Sequence, residues 1–334
     1  MAVAEPATDD GAKGLPQVDV EGFVPHPLHA AERMWTETNC YVDLWIEVLN
    51  VLGLDPVAAA AFTLSCDFEG DQWTFFKYPS EDLRLLYGIE VAELNVWRPV
   101  VEHVEEQLGF GRLCTVEVDA WFLPDTRGVS YRHAHGKTTV VPTRMDRVAR
   151  RLDYFHNAGH FSMEGDDFDG MFRLDGEVDA AMLPPYMETV RLDRLRRNPD
   201  DLVERVVALT QDHLARRPVD NPIIRMSDRI ESDLPWLAEQ GIEAFHLYAF
   251  GVCRQCGAST ELAAAFVDWL DLHDGPGSKA AAAGFRQVAE GAKGLQFALA
   301  RAACGRAVDL REVFAGMADA WDDAMTVLGD RYGA

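Results

Sequence analysis

Cys40 follows Asn39 and opens a run to Leu52 whose apolar residues recur at helical spacing. Cys40, Leu44, Val48 and Leu52, joined by Trp45 and Leu49, fall on one face. Asn39 is a good N-cap, because its side chain can accept from a free amide of the first turn. A thiol there sits at the positive end of the helix dipole, which favours the thiolate. Thiolates so placed are the nucleophiles of cysteine transferases and peptidases. The plainer alternative is a small buried apolar residue, the usual role of a free cysteine.

A cysteine nucleophile needs a base, and the base needs an orienting group. His133 and His135 lie where a polar turn feeds a strand, and His156 and Asn157 lie at the end of the strand that follows. Cysteine, then histidine, then asparagine or aspartate is the papain-like chain order. The local alternative makes the histidines turn residues and has Asn157 close a turn with Gly159. Two other constellations are weaker. Cys253-Arg-Gln-Cys256 has the spacing of a zinc or redox pair, but it lies in a helical run with no second pair nearby, so packing is the better reading. His133, His135, His156, His160 and Glu164 are metal-ligand types that nothing holds on one rigid face, so no metal is assigned.

The elements that must position these groups read as helices first and strands second. The Cys40 helix stops near Gly53 and Pro56. A second helix is expected over 56–66, then a loop and an aromatic-rich extended piece over 67–77, and a short helix over 80–87 capped by Ser80. Asn95 is expected to cap a helix whose face carries Val96, Val100, Val104 and Leu108. Strands follow over 113–123, from about 137, over 151–156 and 160–163, and over 186–192, all expected to be antiparallel. From about Asp193 the pattern is helical, over 198–216, 223–229, 233–239, 244–271, 278–304 and 310–328.

Composition narrows the function classes. With 334 residues, 48% of them apolar, the chain can bury a sizeable core. A formal charge of -24 argues against a broad nucleic-acid surface and against an anionic membrane. The longest apolar run, 56–64, is too short to span a bilayer, and the first residues do not read as a secretory signal. Six cysteines without a disulfide-like cluster suit a reducing, cytoplasmic setting. The basic residues are bunched at Arg144, Arg147, Arg150 and Arg151, at Arg191, Arg194, Arg196 and Arg197, and at Arg216 and Arg217. Each bunch is either a solvated face or a landing patch for an acidic partner.

Asn39-Cys40 through Gly53-Leu54-Asp55-Pro56 resembles the nucleophile helix of the papain-fold, C39-like group, which includes bacteriocin-processing peptidases and BtrH-like acyltransferases. The chain more closely resembles the bacterial family called domain of unknown function 1839. The matching segments are 67–77, 131–139, 154–160, 164–168 and 245–258. The BtrH resemblance implies a thiol that takes an acyl or aminoacyl group from a phosphopantetheine carrier, an acyl or peptidyl carrier protein, and passes it to a small amine. The arm belongs to the carrier, so no bound cofactor is implied. In the C39-like pattern a glutamine precedes the cysteine and serves the oxyanion. Met34 and Trp35 stand there instead, so the donor must come from Asn39, Thr38 or backbone amides.

These readings converge on an α+β chain: a flexible arm over 1–20, a papain-like cysteine domain with an antiparallel sheet over 21–192, and an all-helical domain over 193–334. Cys40 is the expected nucleophile and Asn157 the orienter. His135 is the preferred base over His133, because the residue nearer the strand is held more rigidly. Arg132 and Lys137 either hold a carboxylate or the pantetheine phosphate or are ordinary turn charges, and Glu69, Asp71 and the acids of 164–167 either bind a substrate ammonium or lie in solvated loops. Trp73, His133 and His156 complete the expected substrate contacts. A thiol hydrolase with the same site and a non-catalytic scaffold are the competing functions. The sequence leaves a homodimer open.

Overall fold

The computed structural model describes residues 18–174, 185–197 and 199–333. The expected arm, up to residue 17, and the expected helix start at Asn198 lie outside the described residues. In chain order the first elements are α1 (Cys40–Val51), a 3-10 helix over Ala60–Ser65, and α2 (Ser80–Tyr87). Next come β1 (Glu90–Glu93), α3 (Val100–Gly109), β2 (Leu113–Asp119), β3 (Lys137–Asp146), β4 (Arg151–His156), β5 (Gly159–Glu164), α4 (Asp166–Met171) and β6 (Met187–Arg191). The remainder is helical: α5 (Leu202–Ala215), α6 (Pro222–Gln240), α7 (Ile242–Ala249), a π-helical turn over Phe250–Arg254, α8 (Gln255–His273), α9 (Lys279–Ala303) and α10 (Arg311–Tyr332). Among the described residues no helix is long and apolar enough to cross a membrane.

The fold is α+β, with an antiparallel six-stranded sheet in the N-terminal half and a helical C-terminal region. Departures from the expected elements have local causes. The 56–66 stretch is a short 3-10 helix, because Thr63 and Ser65 turn their hydroxyls onto the carbonyls of Ala60 and Phe62 and compete with the α ladder. Ser80 is the first helical residue of α2 and caps nothing. Asn95 does not cap α3 either; that helix starts after Pro99, which disfavours helix at the residue before it. The expected pair of helices over 223–239 is one helix that runs through Pro235. The expected helix over 244–271 is divided by the π turn.

The chain forms two compact units. Among the described residues, one holds those up to Phe23, Glu90–His156 and those between His160 and Asp193; the other holds Val24–Ile89, Asn157–Gly159 and those from Arg194 onward. In the first, the strand order is β1-β6-β2-β3-β4-β5. Val116 lies opposite Val140 on β3 and opposite Met187 on β6, and Val141 lies opposite Phe155 on β4. The register of β3 and β4 slips between Pro142 and Arg144, where proline has no N–H for the ladder. Val101 and Val104 of α3 and Phe168 and Met171 of α4 close a core with Val116, Val140, Leu152, Tyr154 and Met163. Full burial of each such side chain is worth about 1.5–3 kcal/mol.

In the second unit α9 packs between α8 and α10. Gly284 lets α9 approach α10 closely, since a Cβ there would lie 2.6 Å from the Ala320 carbonyl oxygen. α1 is buried along most of its length, with Leu44, Trp45, Ile46, Val48 and Leu49 all in the core.

Candidate functional site

Cys40 is the first residue of α1 and is half-buried. Asn39 caps the helix as expected: its Oδ1 accepts from the Val42 amide at 3.0 Å. Its Nδ2 donates to the Phe76 carbonyl at 3.1 Å and to Gln255 Oε1 at 3.2 Å. Both amide hydrogens of Asn39 are thereby engaged. Thr38 is buried, and its amide and hydroxyl both donate to the Asp43 carboxylate, the hydroxyl at 2.8 Å. Neither side chain that the sequence offers as an oxyanion donor has a hydrogen to spare.

The lead-in to Cys40 is held by the start of α8. The Glu261 carboxylate accepts from the Met34 and Trp35 amides at 3.1 and 3.0 Å. The Trp35 ring lies over Gly257, where a Cβ would come within 2.3 Å of it, and its indole donates to the Ala289 carbonyl at 3.2 Å. Arg254 Nε donates to the Thr38 carbonyl at 3.0 Å. Gln255, the first residue of α8, meets Asn39 as described. Gln255 is buried, and its Nε2 has no hydrogen-bond partner.

A charged knot lies one turn further along α1. Asp43 and Glu47 are buried, and His29 sits between them, Nδ1 at 2.5 Å from Glu47 Oε1 and Nε2 at 3.3 Å from Asp43 Oδ1. Burial alone would lower the His29 pKa, but bonds and charge from Asp43 and Glu47 outweigh it and raise the value to about 9. His29 is thus an imidazolium that donates from both nitrogens. The sequence carries a signal for this knot: two acids one turn apart on an otherwise apolar helix.

His135 belongs to the sheet unit, whereas Cys40 belongs to the helical unit. His135 is exposed in the turn before β3, stacked on Trp121 at 4.5 Å, with Nδ1 at 2.6 Å from Asp119 Oδ2. Burial would raise the Asp119 carboxyl, but bonds from His135 and from the Trp121 and Gly136 amides hold it below its ordinary value. The group that orients His135 is therefore Asp119 at the end of β2, where the sequence reading looked to Asn157. Asn157 has a φ of 47° and turns the chain from β4 into β5.

The expected substrate contacts are mostly committed within the protein. Arg132 pairs with Asp167, and Lys137 Nζ lies 2.6 Å from Glu117 Oε1. His133 is exposed in the turn. His156 is buried between Asp125, at 2.5 Å, and the Thr138 hydroxyl, at 2.8 Å, and ties β4 to β3. Trp73 is fully buried and donates to the Ser259 hydroxyl at 3.0 Å, so it is core. Glu69 is exposed and accepts from the Thr74 hydroxyl at 2.8 Å. The first arginine bunch is also paired, Arg144 with Asp153, Arg147 with Glu105 and Arg150 with Asp169.

The remaining cysteines separate clearly from Cys40. Cys66, Cys114, Cys253 and Cys256 are buried, and burial pushes each thiol up, that of Cys114 and of Cys253 to about 12. The Cys253/Cys256 pair is packed helix, and among the described residues no group of three or more His, Cys, Asp or Glu could hold a metal ion. Cys304 is exposed at the end of α9.

Two family models match the chain, the DUF1839 N-terminal domain over residues 24–192 and the DUF1839 C-terminal domain over residues 199–330. No curated protein matches it.

Proposed function

This chain belongs to the DUF1839 family, and we propose that it is a cysteine-dependent acyl or aminoacyl transferase with Cys40 as nucleophile. The carrying observation is that Cys40 alone among the described cysteines combines a helix N-terminus with partial exposure, on a cap pinned from both sides. Partial exposure leaves the Cys40 sulfur within reach of a substrate, as the buried thiols of Cys66, Cys114, Cys253 and Cys256 are not. The resemblance of the Cys40 segment to BtrH-like and C39-like papain-fold enzymes motivates the chemistry, and His135, which Asp119 orients, is proposed as the base from the chain order alone.

In the reaction the Cys40 sulfur attacks the donor thioester carbonyl and the bond to the pantetheine sulfur breaks. The pantetheine thiolate leaves and takes up the proton that the base removed from Cys40. An amine nitrogen then attacks the Cys40 thioester, loses its proton to the base, and the product amide departs as the Cys40 thiol re-forms. The donor is an acyl or peptidyl carrier protein and the acceptor a small amine.

The test loads a carrier with a labelled amino acid and follows label onto the protein and then onto amines. Label on the wild-type Cys40 peptide and none on Cys40→Ala supports the reading; equal label on both excludes the site. Release as free acid, with amines inert, would make the protein a hydrolase. No label on either leaves the scaffold reading.

A further inference from the structure

We propose that the side-chain amide of Gln255 is the hydrogen-bond donor to the oxyanion formed at Cys40, so that α8 completes a site whose nucleophile stands on α1. The inference rests on Cys40 being the acylated residue. Its own evidence is separate, and it begins with a buried donor that has nothing to donate to.

The orientation of this amide is determined by a chain of bonds. The Val42 amide needs an acceptor, so Asn39 must present Oδ1 to it and turn Nδ2 the other way. Nδ2 then meets the Phe76 carbonyl and Gln255 Oε1. Exchanging the oxygen and nitrogen of Gln255 would set two donors face to face. Nε2 is therefore held as the free end of the group, and its hydrogens find no acceptor although Gln255 is only 1% exposed. Buried N–H groups without an acceptor are unfavourable and rare, and they call for an explanation.

Other orphaned polar atoms occur among the described residues, including Trp45 Nε1 and His160 Nδ1, but only that of Gln255 belongs to a side chain bonded to the cap residue of Cys40. The π turn over Phe250–Arg254 ends at Gln255. Such turns add a residue to the helix and re-aim the side chain that follows. The residues on either side are anchored, Arg254 on the Thr38 carbonyl and Gly257 under Trp35, and the amide itself is held at Oε1 by Asn39. A rigid donor costs no reorganisation when the carbonyl oxygen gains charge on attack by sulfur, which is when it stabilises most. Thr38 and Asn39, the expected side-chain donors, are already engaged.

The experiment compares two reactions of Cys40 in the full chain, each read by mass on the Cys40 peptide. Acylation by p-nitrophenyl acetate passes through a tetrahedral oxyanion; alkylation by iodoacetamide does not and reports only the thiolate. The variant is Gln255→Glu, which keeps an oxygen for Asn39 and replaces the donor by an acceptor. Acylation is expected to fall about 100-fold or more beyond whatever loss of alkylation the introduced carboxylate causes by disfavouring the thiolate. As pH falls and the introduced carboxyl regains a proton to donate, the variant's acylation should recover relative to wild type at the same pH. Parallel loss of both reactions would assign Gln255 a structural part and overturn the proposal, and so would no loss of either. A wild-type Cys40 that alkylates but never acylates would overturn the acyl-transfer reading itself, and this proposal with it.

Discussion

Asn39 Nδ2 donates to Gln255 Oε1 across 3.2 Å, a bond between residues 216 positions apart that ties the start of α1 to the start of α8. The cap therefore does two things: it satisfies an amide of the Cys40 helix and orients a buried carboxamide. Replacing Asn39 by Ala removes the cap and leaves the Phe76 carbonyl and Gln255 Oε1 without their donor. A loss of about 2–3 kcal/mol is expected in urea unfolding. Asn39→Asp restores the cap acceptor but faces two oxygens with a third, so it should recover only part of that loss.

Gly257 has an ordinary helical backbone, and its role is space. A methyl there would sit 2.3 Å from the buried Trp35 ring, which cannot withdraw while its indole is bonded to the Ala289 carbonyl. Gly257→Ala should destabilise by about 1–3 kcal/mol. A smaller ring position should absorb it, so the double variant with Trp35→Leu should lose less than the sum of the single variants. Additive losses would show that the two residues do not share the contact.

His29 makes stability depend on alkaline pH. Its pKa is raised from the ordinary 6.5 to about 9, so the folded state binds the proton more tightly than the unfolded chain. The contribution is fully present below about pH 6.5 and is lost as pH rises towards 9. A shift of this size corresponds to about 3 kcal/mol. Urea midpoints from pH 6 to 10 should fall across that window in the wild type and much less in His29→Gln, which starts from a lower value.

Thiol accessibility gives a direct map. Iodoacetamide applied to the native protein near neutral pH should modify Cys40 and Cys304 and spare Cys66, Cys114, Cys253 and Cys256, whose thiols are buried and raised. Peptide mass analysis reads this in one experiment. Modification of the Cys253/Cys256 pair before unfolding would contradict its place in the core.

Asp119 sets the orientation of His135. If His135 is the base of acyl transfer, Asp119→Asn should slow the reaction about 10- to 1000-fold, by analogy with other oriented imidazoles. Asn157→Ala should leave the rate near wild type, because Asn157 holds a turn and not the ring. The reverse ranking of the two variants would return the orienting role to Asn157.

Much of the architecture is legible in the chain itself, because helices, strands and caps depend on neighbours a few residues away. The period of the Cys40 helix, the N-cap at Asn39, the strands ending at His156 and beginning at Lys137, and the helical second half all follow from local pattern. Boundaries fail where side chains compete with the backbone, as Thr63 and Ser65 do. The site is legible only in part. Composition and spacing bring Cys40 and His135 to attention, but pairing is a property of distance in space, and nothing local marks a partner. The carboxylate for His135 comes across a hairpin from Asp119, and the amide beside the Cys40 cap comes from the first residue of α8. Trp73 and His156 read as contact residues because aromatic and imidazole groups suit binding, and packing alone shows them to be core. Residue types and their periodicity determine which elements form; the burial and hydrogen bonding reached on folding decide which polar groups are left free to act.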